Sequence, residues 1–115
     1  MLYKHDTLTK IYREFSKPEV QIIAARSVAC MHDGKMTEHY FPSTEAMINM
    51  KKADAYGQFE LMSSQAWGEY INAPAVFWKR QFFDNIGGFD LSYKYTEDWP
   101  TSIRITHAGQ KITIL

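Results

Sequence analysis

Several large protein classes are excluded by what this sequence lacks. It has one cysteine, Cys30, so it offers neither a disulfide framework nor a thiolate metal site, a usage that fits a reducing compartment. It has no surplus of either charge: 13 Lys and Arg balance 13 Asp and Glu, which leaves no basic field for a phosphate backbone and argues against nucleic acid as a partner. No stretch approaches the run of about 20 apolar residues that a membrane helix needs. Nor is Met1 followed by a basic segment running into an apolar one, so neither a transmembrane segment nor an export signal is read, and the cytoplasm is the expected location. The four prolines lie apart at positions 18, 42, 74 and 100, and no repeat or low-complexity tract interrupts the chain. Residues 1–115 therefore read as a single domain, long enough to bury roughly two thirds of its unfolded surface.

What is present is a core-forming composition, 45% hydrophobic and 15% aromatic, which rules out disorder. Asp6 or Thr7 can cap a helix whose Leu8, Ile11, Tyr12 and Phe15 recur on one stripe, with Pro18 beyond its end. The β-prone run at 20–30, an Asp-Gly turn in "HDGK" and "MTEHYF" predict a hairpin over 20–41. Ser43 opens a short helix in "STEAMINMK", whereas residues 54–68, with mixed signals and two glycines, are expected to be irregular. "INAPAVFWKR" predicts an extended segment and "KRQFFDNIGG" a short helix closed by Gly87. Asp98 is placed to cap a last helix with Trp99 and Pro100 in its first turn and Gly109 at its end, and "KITIL" reads as a final strand. Helices and strands alternate, so the expected class is α/β or mixed α+β, a small mixed sheet flanked by helices.

The stretch "GGFDLSYKYTEDWP" at 87–100 concentrates a glycine pair, aromatics and an acidic pair. Residue by residue it leaves alternatives open. Asp98 is either a helix cap or a carboxylate held in place for proton transfer; Glu97 either accepts a hydrogen bond from a ligand or is simply solvated. Arg104 follows Asp98 by six residues, more than a turn and a half, so a role in anchoring a loop carboxylate is favoured over pairing with Asp98. Gly87 and Gly88 supply backbone freedom, Phe89 packs in the core, and Asp90 anchors a turn. Trp67, Trp78 and Trp99 read as core, while Tyr93 and Tyr95, in the loop before the acidic pair, are the aromatics favoured for contact with a ligand. The four histidines show no zinc-site spacing, and Cys30 reads as buried filler.

Taken in order, the apolar run into Arg80, Gly-Gly-Phe-Asp at 87–90, Glu97-Asp98-Trp99, Arg104 and Ala108-Gly109 resemble the carboxyl-terminal half of family 2 glycosyltransferases of the GT-A fold. The resemblance covers residues 76–112; residues 1–75 fit the family's middle region only loosely. It implies an inverting transfer of a sugar from a nucleotide-sugar donor to an acceptor hydroxyl, with Asp98 as catalytic base. Glu97, Trp99, Tyr93 and Tyr95 would contact a sugar or glycan acceptor, and Arg104 and Asp90 would support the site. No Asp-x-Asp or Asp-Asp occurs, and no opening strand leads into a Pro-x-x-Asn turn, so the sequence is similar to the acceptor-side half alone. The divalent metal expected in the intact enzyme, Mg or Mn, would then be held elsewhere, and the isolated chain is expected to be inactive and to self-associate as a homo-oligomer through strands at 20–29 and 111–115. Pro100 stands where many relatives carry a second acidic residue. The alternative function is a non-catalytic carbohydrate-binding or interaction module.

Overall fold

A computed structural model describes residues 5–64, 75–94 and 98–115. The elements run α1 (Thr7–Phe15), β1 (Ile22–Ala24), β2 (Ser27–Cys30), β3 (Met36–Phe41), α2 (Thr44–Lys52), α3 (Ala55–Ser64), β4 (Val76–Trp78), α4 (Arg80–Asn85), α5 (Asp98–His107) and β5 (Thr113–Ile114). The class is mixed α+β, as expected.

The main sheet has the order β4-β1-β5, with β1 antiparallel to β4 and parallel to β5. Every residue of β1 is buried, which suits an uninterrupted apolar strand with neighbours on both sides and elements over both faces. Its side chains alternate as strand geometry demands. Ile22 and Ala24 join a core with Met47, Met50, Met62, Ile105, Ile112 and Ile114, whereas Ile23 points to the opposite face against Ile11 and Val20.

This placement corrects two expectations. The run 20–30 is not one arm of a hairpin: it divides after Ala24, β1 entering the main sheet while β2 pairs antiparallel with β3 in a separate ribbon. The Asp-Gly turn belongs to that ribbon, with Gly34 at φ 85° and Met31 N–H bonded to the Lys35 carbonyl. As the central strand of the main sheet, the Ile-Ile-Ala segment is buried at every position. The second correction concerns the free edge expected at 20–29. β1 is the central strand of the main sheet, whose outer strands among the described residues are β4 and β5; β2, paired with β3 in a two-stranded ribbon, keeps an edge, so the correction concerns 22–24 and not 27–29.

Helix α1 covers one face through Ile11 and Phe15, which pack with Val20, Ile23 and Phe77. The rest of its expected apolar stripe stays in solvent, Leu8 being 60% and Tyr12 82% exposed. α2 begins as expected, the Ser43 hydroxyl accepting from Ala46 N–H at 3.2 Å, and buries Ala46, Met47 and Met50 at helical spacing.

Residues 55–64 form α3 and are not irregular; positions 65–68 of the segment expected to be irregular, Trp67 among them, lie outside the described residues. Asp54 Oδ1 accepts from Gly57 N–H at 2.8 Å, an N-terminal cap. Packing is tight at Gly57: a Cβ there would stand 3.0 Å from the Ala53 Cβ and 3.2 Å from Asp54 Oδ1, so these side chains would have to give way to a larger residue. Gln58, fully buried, donates through Nε2 to the carbonyls of Met50 (2.9 Å) and Ile112 (2.8 Å), and its Oε1 accepts from Ile112 N–H at 2.8 Å. One amide side chain thus ties α3 to the last turn of α2 and to the approach to β5, satisfying backbone groups as a neighbouring strand would.

Candidate functional site

The site is assembled at the end of β4, the turn after α4 and the start of α5. Val76 and Trp78 share one face of β4 by the two-residue strand period. α4 follows at once and closes on the glycine pair: Gly88 N–H bonds to the Phe83 carbonyl at 3.0 Å and Gly87 N–H to the Asp84 carbonyl at 3.1 Å. This double bond pattern is a Schellman closure, and it places Gly87 at φ 83°. Gly88, at φ 70° with the Phe83 ring 3.4 Å from where a Cβ would sit, then reverses the chain.

The reversal brings Phe89 back onto the strand. Its ring meets Trp78 edge-on at 6.0 Å and Phe83 at 5.0 Å, while Trp78 and Phe83 meet at 5.2 Å, geometries that aromatic quadrupoles favour. Asp90 secures the following turn, its Oδ1 accepting from Ser92 Oγ at 2.7 Å and Ser92 N–H at 3.0 Å. Those two bonds, the hydroxyl first, hold the Asp90 carboxyl below its ordinary pKa, and the Arg104 charge adds to them. Arg104 itself donates from Nη2 to the Gly88 carbonyl at 2.9 Å. The loop anchor predicted for Arg104 is therefore real, but its hydrogen-bond acceptor is a backbone carbonyl and not a carboxylate.

The sign of the Asp90 shift sets a pH dependence. A carboxyl whose folded pKa is depressed contributes order above its unfolded pKa and loses it as pH falls through the folded value. The turn at 90–93 is expected to stay ordered down to the ordinary aspartate range, about pH 4, and to loosen below it. Amide exchange and chemical shifts of Ser92 and Tyr93 check this, and an unchanged Ser92 amide in Asp90→Asn would remove the carboxylate from the account.

α5 starts with Asp98, the acidic residue of its first turn, and residue 97 before it lies outside the described residues. A carboxylate in the first turn is favoured by the unpaired N–H groups and the helix dipole. Pro100 sits in the same turn, where a missing N–H costs no helical bond. The far end closes at Gly109, φ 100°, with Gly109 N–H on the Thr106 carbonyl and Gln110 N–H on the Ile105 carbonyl.

Between these elements lies a cavity of about 250 Å³ lined by Val76, Trp78, Phe89, Asp98 and Ser102. Among the described residues its walls are mostly apolar, and its polar side chains, Asp98 and Ser102, lie four residues apart on one face of α5. Such a carboxylate can accept a proton from a bound hydroxyl while the rings meet C–H groups. A second, wider groove of about 480 Å³ runs along α3 past Tyr56, Phe59, Glu60, Ser63 and Ser64, but none of these five side chains is buried.

Of the residues singled out from the sequence, Asp98 lines the cavity, and Asp90 and Arg104 hold the loop that carries Phe89. Tyr93 is 45% exposed in the turn after Asp90, and Trp99 is half-buried in the first turn of α5; neither is among the cavity-lining residues. Tyr95 and Glu97 lie outside the described residues. Sequence reasoning assigned Trp78 and Phe89 to the core and passed over Val76 and Ser102. For Ser102 a signal existed, its place one helical turn beyond Asp98. Among the described residues no group of three or more His, Cys, Asp or Glu side chains is placed to hold a metal ion, and no helix is long and apolar enough to cross a membrane.

Comparison of the chain with protein-family models, with curated proteins and with solved structures finds no match.

Proposed function

We propose that this chain is the acceptor-binding, base-carrying half of an inverting glycosyltransferase that moves a sugar from a nucleotide-sugar donor to an acceptor hydroxyl. One observation carries the reading: Asp98, the first residue of α5, lines a small cavity together with Trp78 and Phe89. The rings suit the C–H face of a sugar, and the carboxylate is in position to take the proton of a hydroxyl as that oxygen attacks the anomeric carbon. The ordered motifs at 76–112 add to it. The described residues do not fit the divalent metal of such enzymes, and no step proposed for this chain runs through one. The departing diphosphate must be stabilised by groups of the donor-binding half.

The test is transfer itself, assayed with a polypeptide that joins this half to its donor-binding half, with Asp98 intact and as Asp98→Asn. Turnover that ignores the exchange would return Asp98 to a helix-start role. Absence of transfer together with sugar binding would favour the non-catalytic carbohydrate-binding module.

Self-association belongs to the same proposal. The outer strand β5 is two residues long, Leu115 beyond it is exposed, and α1 presents Leu8 and Tyr12 to solvent. Strand edges and apolar patches of this kind are commonly buried by a twofold contact. The chain alone is expected to run as a dimer in light scattering at micromolar concentration, with β5 and α1 in the contact and β1 outside it. A soluble monomer would overturn this.

A further inference from the structure

The cavity holds a second polar side chain to which the proposed reaction gives no part. Ser102 is 3% exposed and lines the cavity. Among the described residues no group hydrogen-bonds to its hydroxyl; the nearby Thr106 hydroxyl donates instead to the Ser102 backbone carbonyl at 2.8 Å. That hydroxyl, which can both donate and accept, is left to bond a ligand hydroxyl in the cavity.

Geometry narrows that ligand. Side chains four apart on a helix have Cβ atoms about 5–6 Å from each other, so Asp98 and Ser102 reach two neighbouring hydroxyls of one ring more readily than a single oxygen. The cavity of about 250 Å³ is smaller than the roughly 300–1,000 Å³ of pockets for drug-sized ligands, which fits one ring and not a chain of them. Val76, Trp78 and Phe89 offer that ring apolar walls.

We infer that Ser102 is a specificity-determining residue of this site: its hydroxyl holds the hydroxyl adjacent to the one facing Asp98, so that the site selects a vicinal diol on a single sugar ring. The inference rests on the acceptor-site reading of the cavity.

The test uses the whole chain and methyl β-D-glucopyranoside, its monodeoxy analogues and methyl β-D-galactopyranoside, with binding followed at the Trp78 indole N–H by NMR. In the wild type, loss of either of two adjacent hydroxyls is expected to weaken binding about threefold to tenfold, the value of one hydrogen bond. Ser102→Ala should weaken the parent glycoside by the same factor and cancel the penalty for one of those two positions while keeping the other. Ser102→Thr, which retains a hydroxyl, should restore the wild-type profile, and unchanged melting of both variants shows that the fold is intact. A Ser102→Ala profile identical to wild type overturns the role of Ser102 and leaves the acceptor reading standing. No response of Trp78 to either glycoside up to its solubility overturns both.

Discussion

Gln58→Leu is expected to lower stability by about 3–5 kcal/mol, a large share of the roughly 5–15 kcal/mol that holds a domain together. The side chain is fully buried, and its removal strands three backbone groups: the Met50 carbonyl and both the carbonyl and N–H of Ile112. Each buried group without a partner costs about 1–3 kcal/mol, and leucine, of similar size, supplies none of the bonds. Gln58→Glu gives a sharper check. An ionised carboxylate keeps the bond from Ile112 N–H but faces two carbonyls to which it cannot donate. Burial raises its pKa above the unfolded value, so the variant is most stable below the unfolded value and loses stability as pH rises from there through the folded value. Denaturant titrations near pH 4 and pH 7 measure both effects; a Gln58→Leu protein as stable as wild type would show that water replaces the amide.

On the proposed reading of this chain as the base-carrying half of a glycosyltransferase, Asp98→Asn in the polypeptide that joins it to a donor-binding half is expected to reduce kcat by on the order of a hundredfold or more and leave donor binding nearly unchanged. An asparagine keeps the size and can still accept a hydrogen bond at the start of α5, but it cannot take a proton at neutral pH. General bases contribute about 10²–10⁴ to a rate, and loss of an interaction made only in the transition state appears in kcat and kcat/KM together. Glu97→Gln should cost less. Single-turnover kinetics with saturating donor separate chemistry from binding, and a normal chemical step in Asp98→Asn would end the base assignment.

The site lay half in view in the sequence. Asp98 was legible because a carboxylate at a helix start, followed by Trp99 and Pro100, is a local pattern, and Arg104 and Asp90 were legible as loop anchors near Gly87 and Gly88. The cavity was not, since its wall at 76–78 and its polar face at 98–102 meet only after the chain has passed through α4 and the turn that returns Phe89. Trp78 and Phe89 looked like core for good reason: they do pack on each other, and only their position beside Asp98 makes them walls as well.

By itself the sequence determined what nearest neighbours along the chain decide. The Ser43 cap, the Asp33-Gly34 turn and the closures at Gly87 and Gly109 all follow from hydrogen bonds and φ preferences that reach no more than about five residues, and the alternation of elements gave the mixed class. Tertiary structure alone decided where 20–30 breaks, that 55–64 is helical despite Gly57, and that Gln58 belongs inside. A short apolar run does not say which face will be covered. A buried amide is acceptable only where distant backbone groups come to meet it, in this case from 54 residues along the chain.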